Sequence, residues 1–537
     1  MRIKIHPRVL FTGAAVVGLI LLSPKWTFAP AAWIAPALVL IAIKDLRPGK
    51  ALLLAMSILL VSGLIANWRV MPFPHFVFVF LSVQLAVIGA LPYWISGILI
   101  RRMSHWTRVL VFPCLAVVYD FILSFGGGGT MGSIAYTQIE NLPLMQFASI
   151  TGIWGISLLI YIASSLVYIW HLESTPPMRL MRAFAIILGV LMFWGTKRIG
   201  DAGPDTKTIR VASISAWNVA PLKTVYRDAT AKEIVLDPST LTQTSPELVE
   251  LNKALALFVE DPINPKFEKS RKALVDFQDS LLVLAEREAK AGAKLIAFSE
   301  AVMLTIKPDE ADLIRRATCV AKENEVWLVL APGTFLPGKI EPGKKFIENK
   351  AILIGPSGTI ENVFFKNKPV PFVEGSVPGD GEVPVVASGS GRIATSICYD
   401  ADFPPLMRKA GKKEADLMIL PSGDWREISP MHSNVARVRA IENGFSLLRP
   451  ASGGVSLACD RYGRTIAKRD FYDSGEKILV ASLRLDGMRT IYTQLGDVIP
   501  WTCLILLVLM VARTFFTTRF RREEAVPTTH RQPIEQD

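Results

Sequence analysis

Two patterns of apolar residues divide the chain near residue 200. Before it, long apolar runs alternate with short polar or Pro/Gly turns. The runs 9–22, 28–43, 51–66, 76–100, 109–125, 147–170 and 183–194 each come near the roughly 20 residues that a bilayer-spanning helix needs, and an eighth follows at 498–516. Beyond residue 200 the runs shorten to strand length and alternate with helix-like segments, the signature of an α/β domain. Strands are expected at 209–214, 294–298, 326–331, 351–354, 392–397, 417–420, 446–449 and 454–458. Leu274, Phe277, Leu281 and Leu284 recur at helical spacing within 270–290, and 247–259 also reads as helix. The expected layout is a transmembrane bundle of about seven helices over 1–200, an extramembrane α/β domain over 201–494, a C-terminal transmembrane helix over 495–518 and a tail over 519–537. Residues 217–269 carry no chemical motif and read as an insertion in the domain.

Composition agrees with a membrane protein and narrows the chemistry. Half of the 537 residues are hydrophobic (51%), 20% are charged, and the mean hydropathy is +0.36. A net charge of +12 raises the question of nucleic acid, but no basic stripe is interleaved with aromatics, so nucleic acid is not an expected partner. The basic residues instead collect on alternate loops: Arg2, Lys4 and Arg8; Lys44, Arg47 and Lys50; Arg101, Arg102 and Arg108; Arg179 and Arg182; Arg519, Arg521 and Arg522. Only Lys25 and Arg69 interrupt the parity. By the positive-inside rule both termini are cytoplasmic, and residues 197–494 lie on the opposite face. The five cysteines are scattered without a CxxC pair, which argues against a disulfide scaffold or a structural zinc. Of the six histidines only His432 falls in the polar stretch, so neither a histidine centre nor a metal or other cofactor is expected.

Three side chains share one setting, the end of an apolar strand: Glu300 after KLIAF, Lys366 after ENVFF and Cys398 after RIATSI. Singly, such a cysteine is more often a buried structural thiol, and such a charge is usually solvated. Together they supply a base for the thiol proton, a nucleophile, and a donor for the oxyanion that forms when sulfur attacks a carbonyl. The backbone N–H of Tyr399 offers a second donor.

Their contexts raise those odds. AKLIAFSE (293–300), KNKPVPFVEG (366–375), GRIATSICYDADFP (391–404), EADLMILPSGDW (414–425) and RAIENGFSLLRPASGGVSLACDRYGR (439–464) resemble, in this order along the chain, the motifs of the nitrilase or carbon–nitrogen hydrolase superfamily. The resemblance implies an αββα sandwich with Glu300 as general base, Lys366 stabilising the tetrahedral intermediate and Cys398 as nucleophile. Within that superfamily the flanking spans, and the segment YTQIENLPLMQFASITGIWGISLLIY (136–161), resemble the apolipoprotein N-acyltransferase family. That likeness places Glu374, Tyr399 and Asp400 where the family has further required residues. It implies a bacterial inner-membrane protein whose catalytic domain faces the periplasm. A phospholipid would donate an acyl chain and a diacylated lipoprotein would accept it. Some positions depart from the family pattern: SEA replaces PET, Phe364 replaces a Tyr, Asp400 stands where Glu is usual, and the arm between Glu374 and the Cys398 strand is short. Two other readings stay open at this point, a membrane-tethered amidase acting on a C–N bond and a binding module that keeps the fold without catalysis.

Overall fold

Proline and glycine decide where the apolar runs break. In the computed structural model, which describes residues 6–103, 105–173, 175–200, 207–237, 245–341, 343–389 and 391–524, the run 28–43 is two helices. Pro30 and Pro36 each fall in the first turn of one of them, Ala29–Ala32 and Ala35–Ile43, where a missing N–H has no partner to lose. The run 147–170 likewise turns at Gly152, whose φ of 64° suits glycine, before continuing as Ile153–Glu173. Five helices among the described residues are long and apolar enough to cross a membrane: Pro48–Ala66, His75–Arg102, Thr107–Ser124, Ile153–Glu173 and Met178–Gly200. Four shorter apolar helical stretches, Pro7–Ile20, Ala29–Ile43, Leu142–Thr151 and Val498–Thr514, accompany them, so the eight expected spans are not all of crossing length. Met178–Gly200 buries only Gly195 and leaves Ile186 and Phe193 67% and 75% exposed, a bare apolar surface suited to lipid. Arg2, Lys4 and residues 525–537 of the expected tail lie outside the described residues, as do residues 238–244 of the insertion.

Beyond residue 200 the described residues include sixteen strands. They are β1 (Thr208–Ile214), β2 (Leu295–Phe298), β3 (Met303–Ile306), β4 (Trp327–Leu330), β5 (Pro332–Phe335), β6 (Ile347–Ile354), β7 (Ile360–Phe365), β8 (Val385–Ser388), β9 (Gly391–Thr395), β10 (Leu417–Ile419), β11 (Ser422–Gly423), β12 (Ser446–Arg449), β13 (Ala451–Ser452), β14 (Val455–Cys459), β15 (Thr465–Asp470) and β16 (Ile478–Arg484). One sheet runs β16-β1-β2-β4-β6-β5-β3 with β7 beside β6, a second runs β15-β14-β12-β10-β9-β8, and β11 pairs with β13. Alternation along the strands stacks the two sheets. Val211, Leu295, Ala297, Val329 and Leu353 share a core with Ile393, Leu417 and Leu447 of the second sheet. Their neighbours Ala212, Ile296, Phe298, Leu328 and Leu330 pack on helices Glu268–Lys290 and Glu310–Glu323. Helices Pro404–Lys412 and Ser429–Asn443 join the core of the second sheet through Met407, Ala410, Val435 and Ile441. The layers are therefore helix, sheet, sheet, helix.

The stretch read as an insertion contributes two helices, Val219–Thr230 and Pro246–Glu260. Their Val225, Phe258 and Val259 pack with Leu304, Ile306 and Phe335, capping β3 and β5. The membrane half is bolted to the loop between β14 and β15, to helix Ser429–Asn443 and to the segment that leads into the C-terminal helix. Gln146 Nε2 donates to Tyr462 O (2.9 Å), Ile153 N to Glu442 Oε1 (2.7 Å) and Trp154 Nε1 to Asp497 Oδ1 (2.7 Å).

Candidate active site

Strand direction brings three side chains to one edge. β2 runs parallel to β4, which pairs antiparallel with β6, which pairs antiparallel with β7. The C-terminal ends of β2 and β7 therefore lie at the same edge as the start of β6, where Glu300 stands two residues past β2 and Lys366 directly after β7. The N–H of Lys366 donates to Asn349 O (3.0 Å), and the Asn349 amide donates to Glu300 Oε1 (2.7 Å). Cys398 arrives from β9, in the facing sheet. The segment leaving β10 staples it to Glu300: Pro421 O accepts from Cys398 N (2.9 Å), Ser422 O from Glu300 N (3.3 Å), and Gly423 O from Cys398 Sγ (3.5 Å). Cys398 holds φ at 47°, a left-handed conformation that persists in a non-glycine residue only where its surroundings impose it.

Lys366 is fully buried, and its Nζ lies 2.7 Å from Glu300 Oε1 and 2.5 Å from Glu374 Oε1. Burial opposes its charge, but Glu300, Glu374 and Cys398 outweigh burial and hold its pKa well above the ordinary lysine value. Burial raises the Glu374 carboxyl. Burial and then the charge of Glu300 also push the Cys398 thiol up, against the opposing pull of Lys366 and His432. The resting sulfur is thus a thiol, and a nearby base must take its proton before it can attack. Asn349 and Lys366 both engage Glu300 Oε1, and Oε2 faces Gly423, on whose carbonyl the thiol rests.

The other three expected residues take different positions. Asp400 is a clamp inside the protein. Its Oδ1 accepts from Lys368 N (2.7 Å), and its Oδ2 from Ile397 N (3.1 Å) and Asn367 N (3.4 Å), which ties the cysteine turn to the lysine loop. Burial raises its carboxyl to about 7 despite these donors. Glu374 reaches the centre through Lys366. Tyr399 points away from it: its hydroxyl donates to Gly127 O, in the membrane half. Thr130 N and Thr130 Oγ1 both donate to Asp402 O (2.9 and 3.0 Å), so a glycine-rich loop between two membrane helices grips the turn that carries the nucleophile.

His432, the one histidine of the polar stretch, also stands close to the sulfur. It stands on helix Ser429–Asn443, Nε2 2.9 Å from Asp402 Oδ2 and Nδ1 2.7 Å from Asp424 Oδ1, and Arg449 Nη2 donates to both oxygens of Asp424. A ring nitrogen, an Asp424 oxygen and Cys398 Sγ lie within 4.8 Å of one another. That spacing would suit a metal, but each ring nitrogen already faces a carboxylate oxygen, and Arg449 Nη2 lies 3.3 Å from Nδ1. Asp402 lies in the CYDAD turn, Asp424 in SGDW and Arg449 in RAIENGFSLLRP, all inside motifs the sequence marks out, whereas nothing in the spacing of His432 announces it. An apolar cavity of about 470 Å³ lies beyond Asp424, lined by Trp68 and Phe73 of the membrane half, Trp217, Leu222 and Leu251 of the insertion, and Trp425. Nearby, Phe372 is 87% exposed, holds φ at 63°, and meets the Phe73 ring edge-on at 6.1 Å.

Comparison with known proteins matches each half of the chain. The carbon-nitrogen hydrolase family matches residues 264–492, and the apolipoprotein N-acyltransferase N-terminal domain matches residues 15–166. The chain is 24% identical to an apolipoprotein N-acyltransferase of Geobacter metallireducens over 95% of this chain and 96% of that protein. It is 24% identical to apolipoprotein N-acyltransferase 2 of Treponema pallidum over 78% of each. Among solved structures it is similar to an amidase from Nesterenkonia sp., with 17% identity, a TM-score of 0.36, and coverage of 56% of this chain and 97% of the amidase.

Proposed function

The chain belongs to the apolipoprotein N-acyltransferase family, and from that premise we propose that it moves a fatty acyl chain from a phospholipid, through a thioester on Cys398, to the N-terminal amine of a diacylglyceryl-cysteine lipoprotein. Glu300 takes the thiol proton as sulfur attacks the ester carbonyl. The developing oxyanion is met by Lys366 Nζ and by the N–H of Tyr399, the second residue of a 3-10 turn whose first N–H groups lack intrahelical partners. Collapse breaks the ester C–O bond, and the proton on Glu300 leaves with the lysophospholipid. The lipoprotein amine then attacks the thioester and gives its proton to Glu300. The C–S bond breaks, and the departing thiolate recovers that proton.

The observation that carries this reading is the grip of the membrane loop on the nucleophile turn, through Gly127 with Tyr399 and Thr130 with Asp402. A hydrolase of small water-soluble amides needs no such attachment, whereas an enzyme drawing its substrate from a bilayer gains by building its active site onto the membrane helices. The same reading sets the protein in the bacterial inner membrane, with both termini cytoplasmic and the sheets on the periplasmic side. It gives the cavity beside Asp424 an acyl chain to hold, and so gives the insertion a purpose.

The test is direct. Purified protein incubated with phospholipid should gain the mass of one acyl chain on Cys398 and lose it, on addition of a diacylated lipopeptide, to a triacylated product. Absence of the adduct together with ammonia release from amides would instead indicate a hydrolase. A second expectation concerns Phe372, which we assign to contact with the incoming lipid in place of a longer arm. Phe372→Ala should slow adduct formation from phospholipid about tenfold, the scale of losing one large apolar contact, and leave the alkylation of Cys398 by iodoacetamide unchanged. Equal losses in both assays would move Phe372 from lipid contact to support of the site.

A further inference from the structure

His432 has no task in the acyl transfer just described, yet it stands within 4.8 Å of the sulfur. Its side chain is only 5% exposed, and each ring nitrogen faces a carboxylate oxygen, at 2.9 Å on Asp402 and 2.7 Å on Asp424. Arg449 Nη2 also approaches Nδ1, at 3.3 Å, but the Asp424 oxygen lies closer to it, and an ionised carboxylate only accepts, so each nitrogen donates and the ring carries two protons. The surroundings keep it so. Asp402 comes from the cysteine turn, Asp424 from the loop after β11, and Arg449, from β12, fixes Asp424 through both oxygens. Cys398 faces the ring, with Glu300 and Lys366 beyond the sulfur. On the Asp402 side stand Arg439 and Tyr136, which are hydrogen-bonded to each other at 3.1 Å. Asp402 and Asp424 outweigh burial and hold the ring's pKa well above the ordinary histidine value.

We propose that His432 is a permanently protonated positioning residue, which sets a positive charge beside the sulfur but exchanges no proton, and that this locked state is what lets the acyl thioester outlast water until the amine arrives. The proposal rests on the acyl-transfer reading. A neutral imidazole beside a thioester is a general base for water: it takes a water proton as hydroxide adds to the carbonyl, and the C–S bond then breaks to free acid and thiol. Two aspartates deny the ring the lone pair that step requires. The lipoprotein amine needs no help from the ring, because Glu300 takes its proton. A side chain that most thiol enzymes would use as a base is here tied down on both sides.

The experiment uses the full chain in detergent with phospholipid, and reads two quantities by intact mass. The first is the rate of Cys398 alkylation by iodoacetamide against pH. In His432→Gln the midpoint should move up by about one unit, which is about tenfold slower alkylation below the midpoint. The second is the lifetime of the acyl thioester without lipopeptide. Asp402→Asn leaves the ring free to lose a proton, so the thioester should hydrolyse about tenfold faster, with the rate rising with pH through neutrality. Adding His432→Gln to Asp402→Asn should restore the lifetime, which loosened packing alone would not do. An unchanged alkylation midpoint in folded His432→Gln protein overturns the charge at sulfur, and so does an undiminished thioester lifetime in Asp402→Asn for the protection. Should His432→Gln not fold, the Asp402→Asn lifetime decides alone. Should the parent form no thioester, the acyl-transfer reading fails, and the alkylation profile still decides whether the ring holds charge at the sulfur.

Discussion

Replacing Lys366 by Met is expected to stop turnover and to weaken the protein in the same stroke. The ammonium is wholly buried and lies 2.7 Å from Glu300 and 2.5 Å from Glu374. Without it, two carboxylates share a site with little water and no cation, and breaking a buried pair from one side costs about 3–5 kcal/mol. The protein has one inexpensive escape, to hold a proton between the carboxylates at neutral pH. That proton disables the base whenever it sits on Glu300. The oxyanion donor is lost as well, a change of about 10²–10³ in rate by itself. Thioester formation should therefore fall by at least about 10³-fold, and the residual rate should climb with pH as the shared proton leaves. The unfolding midpoint in detergent should drop by roughly 10 °C, given about 2–4 °C per kcal/mol for a domain of this size. Intact-mass kinetics and a thermal melt measure both. A variant within tenfold of the parent would remove Lys366 from the centre of the reaction. Lys366→Arg keeps the charge but needs more room than a buried slot between two carboxylates offers, so it should recover stability better than rate.

Parts of this arrangement can be read directly from the chain. The strands that appear as apolar runs are the buried ones, β1, β2, β4, β6, β9, β10, β12 and β14, because burial on both faces leaves an uninterrupted apolar signature. β3 and β5 are just as buried, but Thr305 interrupts the one and Pro332, Gly333 and Thr334 fill most of the other, and β15 and β16 alternate with charged or exposed positions at a sheet edge, so none of these patterns rises above the turns around it. Glu300, Lys366 and Cys398 are legible for a related reason: each is the first reactive side chain after an apolar strand, and a rigid strand fixes where its end points. The helix residue His432 has no such marker. Its partners Asp402 and Asp424 lie 30 and 8 residues away in sequence and meet it only through folding. Tyr399 shows the converse. Its place after the cysteine marks it as important, but its hydroxyl serves the joint with the membrane half.

The membrane contribution to the active site rests on a glycine, and Gly129→Ala should expose it. Gly129 holds φ at 51°, and a Cβ there would meet the carbonyl oxygen of Asp402 at 2.5 Å and its Cβ at 2.9 Å. The left-handed backbone alone costs about 1–2 kcal/mol for an alanine. The clash is relieved only if the membrane loop or the Cys398–Asp402 turn withdraws. Either movement breaks the bonds from Thr130 to Asp402 O, and the second also shifts Cys398, already held in a strained conformation, away from Glu300. Acylation of Cys398 should fall by about 10- to 100-fold, because a displacement near 1 Å is enough to misalign attack, although no reacting group has been altered. Gly128 is the internal control. A Cβ there meets nothing within 4 Å, so Gly128→Ala should acylate at the parent rate. If the two alanines behave alike in the intact-mass assay, the loop does not hold the nucleophile, and the membrane half serves only as an anchor. If they part as expected, the turn that aims the sulfur is set from the membrane side, and the α/β half alone would present a correctly folded triad with a poorly aimed nucleophile.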